Sequence, residues 1–266
     1  MNVRTMSVSG SFYPSSKEEI ERYINHFNTV LEQHPTAHTE LAHMSTHAVI
    51  VPHAGWIYSG FTANIAYRVL TRIHPKTVVV IGPSHRVGFD GVSICDAKSY
   101  QTPLGELEID TALVEEIKKT FGVCTIEQAH HEHSTEVQMP FIKHYMSGVK
   151  VIEMVYAYAD PAQLSPIIDY LLNLPDLAVV ISTDLSHYYS LDAAKKLDSI
   201  CLEAIKFENS SMLHKGCEAC GKIGVEAMLD VAKKRGMEAT LLDYRTSADA
   251  SGDSERVVGY ASALFR

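Results

Sequence analysis

Four short apolar runs constrain this chain more than any other feature: AVIV (48–51), TVVVIG (77–82), VIEMVY (151–156) and LAVVIS (177–182). They read as strands, and the first two, continuous in apolar residues, as strands buried on both faces. Helical patterns lie between them. Phe61, Ile65, Ala66, Val69, Leu70 and Ile73 recur at helical spacing, and PAQLSPIIDYLLN (161–173) predicts a second helix. Alternation of this kind implies an α/β fold with a mixed, mostly parallel central sheet covered by helices on both faces. With 266 residues, 46% of them apolar, the chain can bury a large core. It shows no repeat, linker or low-complexity segment, so residues 1–266 are expected to form one domain.

The remaining elements follow from local signals. Ser16 and Glu19 form a capping box before a helix over 16–33. Residues 34–46 lack periodicity and read as a loop. GVSICDA (91–97) and GELEID (105–110) predict two strands, with TPLG (102–105) as a turn between them. Asp110 caps a helix over 111–121, and Ser134 caps one over 135–146. Two helices over 191–208 and 218–235 precede two closing strands, ATLLDYR (239–245) and VVGYASALF (257–265).

Composition excludes some functions. The formal net charge of −9, without a basic block, disfavours nucleic acid. No apolar run is long enough to span a membrane. The first residues, MNVRTMSVSG, lack the apolar core of a signal peptide. Five cysteines without framework spacing are expected to be reduced thiols in a cytoplasm. No G-x-G-x-x-G follows a strand, so a dinucleotide site is not expected.

The strands end alike. VIVPH ends in His53, VVVIGPSH in His85, and VVISTDLSH in Asp184 and His187. Ligands of open α/β sheets sit outside the carboxyl ends of the strands. Gly55 and Gly82 would let the backbone turn sharply and leave room for a ligand. Two histidines at adjacent strand ends suit iron, copper, zinc or nickel, and a third protein ligand is then needed. The candidates are the carboxylates Asp184, Glu136 and Glu132, or a thiolate from the single CxxC, Cys217 and Cys220. That pair opens a predicted helix, whose dipole would lower a thiol pKa. In HHEHSTEVQMP (130–140), His133 is a candidate donor or proton shuttle beside a metal.

Seven motifs, in one order, resemble the Memo family: SGSFYP (9–14), PHAGWIYSG (52–60), GPSHR (82–86), YQTPLGELEID (100–110), EHSTEVQMP (132–140), STDLSHY (182–188) and CGKIG (220–224). Its prokaryotic members are the Memo-like component found with AMMECR-type and radical-SAM proteins. The family is similar in fold to the class III extradiol ring-cleaving dioxygenases. The resemblance implies that His53 and His85 are metal ligands, with Cys220 near the third position. Fe(II) comes first among the expected ions, then copper, then zinc. The resemblance also implies that His187 is a catalytic base and His133 a second pocket histidine. Asp184, Tyr58 and Trp56 would line the same pocket, and Glu136 is expected there too. CGKIG is shorter, and STDLSHYY less aromatic, than the animal segments, so the substrate is left open.

Several functions fit these residues. In a redox-active non-haem protein, His53, His85 and Cys220 bind the metal, His187 and His133 move protons, and Asp184 orients one of them. The thiolate shifts such a site toward Cu(I). In an extradiol-type dioxygenase acting on a small catechol-like molecule, His187 is the base and Arg86 holds an anionic substituent. A metal-free thiol hydrolase would use Cys220, His187 and Asp184. A binding module would recognise a peptide or phosphate in the same closed pocket, with the histidines as donors.

Overall fold

The computed structural model of the chain describes residues 2–33, 41 and 43–266. The 34–46 loop read from the sequence lies largely outside these residues. Among the described residues, eleven strands join in one sheet. They are β1 (Val3–Arg4), β2 (Ala48–Val51), β3 (Thr77–Pro83), β4 (Val92–Ile94), β5 (Ser99–Thr102), β6 (Gly105–Ile109), β7 (Lys150–Tyr156), β8 (Leu177–Ser182), β9 (His187–Tyr189), β10 (Ala239–Thr246) and β11 (Val257–Phe265). The order across the sheet is β1-β5-β6-β7-β3-β8-β2-β11-β10, with β4 on β7 and β9 on β11.

The centre, β6-β7-β3-β8-β2, is parallel throughout. β11 and β10 extend it antiparallel beyond β2. All of β2, β3 and β8 is buried, as the continuous apolar runs require of strands covered on both faces. The fold is therefore the mixed, mostly parallel α/β architecture expected. No helix among the described residues is long and apolar enough to cross a membrane.

Three local expectations differ from the structure. The segment 135–146 is two short helices, His133–Glu136 and Met139–Tyr145. Pro140 lacks the N–H that one continuous helix needs there and sits instead in the first turn of the second. Its predicted cap, Ser134, donates its hydroxyl to Pro83 O at 2.7 Å, while Glu132 caps the first helix. GVSICDA and GELEID do form strands, β4 and β6, but the TPLG turn joins β6 to β5, while β4 pairs with β7. The helix predicted from 218 begins at Lys222, so both cysteines of the CxxC precede it.

The helix Trp56–Leu70 follows β2 directly and is buried on almost every side. It packs on β2, β11 and β10, and on the helices Lys17–Glu32 and Met139–Tyr145. Trp56 stacks on Phe141 at 4.0 Å between ring centroids, and Phe141 stacks on Tyr67 at 5.2 Å. This aromatic stack fixes the helix whose first turn follows His53. Truncating Phe141 removes its centre. The variant Phe141→Ala should lose about 3–5 kcal/mol in urea unfolding, the usual cost of a buried aromatic cavity. A loss below about 1 kcal/mol would mean that the stack does not carry the packing.

Candidate metal centre

Parallel pairing brings three strand ends together. Val51 pairs with Ser182, and Ile81 with Ile181, so the residues following β2, β3 and β8 leave the sheet side by side. His53 and His85 emerge there with ring centroids 5.2 Å apart. His133, from the short helix His133–Glu136, lies 5.4 Å from His53 and 4.5 Å from His85.

The thiol of Cys220 completes the cluster. Its Sγ lies 3.3 Å from His53 Nε2. One donor atom each from His53, His85 and Cys220 fall within 4.8 Å of one another. Two backbone bonds hold the loop in place: Cys220 N donates to Asp184 O at 3.2 Å, and Asp184 N donates to Cys220 Sγ at 3.3 Å. Gly221 then passes so close to β8 that a Cβ would stand 2.6 Å from Thr183 Cβ, which only glycine avoids. Gly82 serves a similar purpose. A Cβ there would meet Ser134 Oγ at 2.6 Å, so the space is filled by that hydroxyl rather than by a ligand.

Hydrogen bonds settle which ring nitrogens face the cluster. Ser182 Oγ donates its only proton to the carbonyl of Ser134 at 2.6 Å. It must therefore accept from His53 Nδ1, 3.0 Å away. That leaves His53 Nε2 toward Cys220. His85 is fixed in the same way by Glu132, whose Oε1 lies 3.1 Å from His85 Nδ1. Both imidazoles thus carry the proton on Nδ1 and present Nε2, the arrangement a metal ligand needs. A cluster of two such imidazoles and one thiol fits a soft or borderline divalent ion, or Cu(I).

Burial sets the charges. His53 is 1% exposed. Burial, and then His85 and His133, push its pKa well below the usual histidine value, so its ring is neutral. Burial and the nearby Asp184 push the Cys220 thiol up to about 12. The expected helix-dipole activation is absent because the helix starts two residues later. The thiol is neutral until a cation lowers its pKa.

The other candidate residues fall into separate groups. Asp184 accepts the amide of His53 at 2.7 Å, and its Oδ2 is 4.0 Å from His53 Nε2. It does not hold a ring N–H. Burial raises its pKa against that bond and the neighbouring histidines. His187 begins β9, close enough to influence Asp184 and His53 electrostatically. His85, Arg86 and Cys220 line an open cleft of about 290 Å³, with Tyr156, Tyr158 and Ile223 on its walls. Tyr58 is exposed on the first turn of its helix.

Trp56 and Glu136 do not line that cleft. Trp56 is core, its Nε1 donating to Val137 O at 3.1 Å. Glu136 is fully buried and accepts from Arg4 Nη1 at 2.7 Å, from the amides of Ser7 and Val8, and from the hydroxyls of Ser7 and Tyr13. Every donor is internal, so this carboxylate ties the N-terminal segment to the helix His133–Glu136. Glu132 is buried beside His85 and His133, and its Oε1 faces the Nδ1 of both rings. Ser182, which fixes the ring of His53, is the site residue that sequence reading missed, since nothing in STDLSHY separates an orienting serine from a turn.

The cysteines correct another expectation. Cys201 and Cys217 form a disulfide, with Cα atoms 5.0 Å apart. Cys95, Cys124 and Cys220 are free. The pairing was invisible because it joins a helix face to a loop rather than two motif positions. It also divides the CxxC: Cys217 braces the loop and Cys220 faces the histidines.

These features define an α/β protein with a histidine–cysteine cluster at the carboxyl edge of a parallel sheet. Its sequence kinship agrees. The family profile described as Memo-like protein matches residues 4–264. A MEMO1 family protein of Aquifex aeolicus is 32% identical over 277 residues, covering 100% of both chains. Another, from Methanocaldococcus jannaschii, is 32% identical over 289 residues, covering 98% of each. One from Ignicoccus hospitalis is 33% identical, covering 100% of this chain and 99% of its own. The chain belongs to the Memo family.

Two outcomes follow. The disulfide spans a sequence separation of 16, for which loop-closure entropy gives about 3 kcal/mol. Cys201→Ser with Cys217→Ser should lose about that much in urea unfolding, and a phosphine reductant should bring the parent to the same midpoint. An unchanged midpoint would show that the bond is absent or idle.

The second concerns pH. Because the folded pKa of His53 lies below its ordinary 6.5, the unfolded chain takes up a proton that the folded one refuses. Metal-free protein should therefore lose stability as pH falls below about 6.5, by up to about 1.4 kcal/mol per unit from this group. In His53→Gln that part of the slope should vanish. An identical slope in the variant would show that His53 is not held neutral.

Proposed function

We propose that the chain binds a redox-active non-haem metal ion, Fe(II) ahead of copper, through His53, His85 and Cys220. The observation that carries this reading is the convergence of three donor atoms whose ring tautomers are already set by Ser182 and Glu132. An ion held there would supply one-electron chemistry to a small molecule in the adjoining cleft. The residues of the chain would do the rest. Cys220 would release its proton on binding, and Asp184 would keep the turn at His53 closed. His133 and His187 are the groups suited to hold or move a proton beside the ligand.

The cleft favours a second reading, an extradiol-type dioxygenase for a small catechol-like substrate. Arg86 lines the cleft beside His85 and suits an anionic substituent. Zinc comes third on the donor set alone. The thiol hydrolase loses ground, because the imidazole beside Cys220 is the neutral, buried His53 rather than His187.

Family resemblance adds partners to the proposal, AMMECR-type and radical-SAM proteins in a cytoplasm. The Cys201–Cys217 bond weighs against that compartment, since ordinary cytosolic thiols are kept reduced. Co-purification of those proteins with the tagged chain would test the pairing, and their absence from every pull-down would count against it.

The deciding test is anaerobic titration of the parent and of His53→Ala, His85→Ala and Cys220→Ser with Fe(II), Cu(I) and Zn(II). At about 100 times its dissociation constant, a bound ion should raise parent stability by about 2.7 kcal/mol and leave the variants nearly unmoved. Equal stabilisation of parent and variants, or none by any ion, would end the assignment. Ring cleavage across a catechol panel by the Fe(II) form would select the second reading.

A further inference from the structure

Glu132 occupies a place that the proposed ligands do not explain. It is fully buried, yet its two oxygens take four N–H groups. Oε2 accepts the amide of His85 at 2.6 Å. Oε1 faces His85 Nδ1 at 3.1 Å, His133 Nδ1 at 2.8 Å and the amide of Ser134 at 3.0 Å. Three of these donors converge on Oε1 and one on Oε2, so this carboxylate is engaged chiefly in holding the two imidazoles, with which it clusters.

Each oxygen already accepts a backbone amide, Oε2 that of His85 and Oε1 that of Ser134, so the carboxylate stands as an acceptor and the two Nδ1 atoms facing Oε1 are placed to donate to it.

We infer that Glu132 is a shared positioning residue, a single buried carboxylate that locks the metal ligand His85 and the neighbouring His133 in the same tautomer, each with its proton on Nδ1 and Nε2 left without one. The inference rests on the metal reading for its consequence, but its geometry stands without a metal. One side chain would then do two jobs. It orients a ligand, and it sets a proton-carrying ring at a fixed distance from that ligand. His133 is further held by Phe12, whose ring lies 4.6 Å away. Because both rings meet the same oxygen, Oε1, a change at Glu132 disturbs both at once.

The test uses the full chain in two forms, parent and Glu132→Gln. Nitrogen–proton correlation spectra of the imidazoles are recorded on metal-free protein at pH 8. Co(II) affinity is then read anaerobically from the thiolate-to-cobalt absorption band. The parent should show His85 and His133 both protonated on Nδ1. The amide should break this pattern and raise the Co(II) dissociation constant about 10- to 100-fold, the usual effect of losing an outer-shell partner. Glu132→Asp, which keeps the charge, should recover part of the affinity and serves if the amide variant does not fold.

A parent with either ring protonated on Nε2 alone would overturn the inference. So would parent-like affinity in a folded Glu132→Gln. If the parent binds no Co(II) but shows both Nδ1 protons, the metal reading fails while the shared lock is upheld.

Discussion

The site exists because β3, β8 and β2 pair in parallel and in register. Pairing of Val51 with Ser182 and of Ile81 with Ile181 means that each chain leaves the sheet at nearly the same height. An antiparallel neighbour would have placed its exit at the far edge. Parallel strands need long crossovers, and these are the helices that bury the apolar runs on both faces. One requirement, covering continuous apolar strands, thus produces both the core and the crowded carboxyl edge. The loop carrying Cys220 joins this edge through its reciprocal bonds with Asp184.

The polar residues behind the edge obey one rule. A buried charge persists only where donors replace its water. Glu132 and Glu136 are both fully buried and both held below the usual carboxylate range, because each is surrounded by N–H and O–H groups. Removing a partner from such a group typically costs 3–5 kcal/mol, so Arg4 and Glu136 form a joint that fixes the segment bearing His133. Asp184 and Cys220 show the opposite balance. Their donors are too few to offset burial, and both pKa values rise. Charge is therefore secure in the supporting layer and costly in the layer facing the cleft. A cation at the cleft would reverse that cost.

Much of this was legible in the chain itself. The apolar runs at 48–51, 77–82 and 177–182 announced buried parallel strands, and the shared endings announced the histidines gathered at their carboxyl edge. Asp110 gave its helix both a start and a partner, accepting Leu113 N as a cap. What failed to show has physical causes. β1 and β9 span two and three residues, too few for any periodicity. The break at Pro140 was masked by apolar spacing that suits one helix as well as two. Glu136 and Trp56 sit within motifs rich in polar and aromatic residues. Burial depends on what packs over them, which no local pattern carries. The Cys201–Cys217 bond depends on a helix and a loop meeting in space, and spacing alone is silent there.

Cys220 raises the question of why a thiol stands where a carboxylate would also fill the space. The geometry supplies a reason. Asp184 is already buried within 4.0 Å of His53 Nε2, with a raised pKa. A second carboxylate there would add like charge to a region short of donors, and the metal-free fold would bear that repulsion. A thiol avoids it by staying neutral. A thiol also differs from a carboxylate in what it would hold, since sulfur binds copper and the softer states of iron better than oxygen does. Low charge beside Asp184 and a soft donor would thus come from one atom, Cys220 Sγ, and the disulfide three residues earlier braces the loop that carries it.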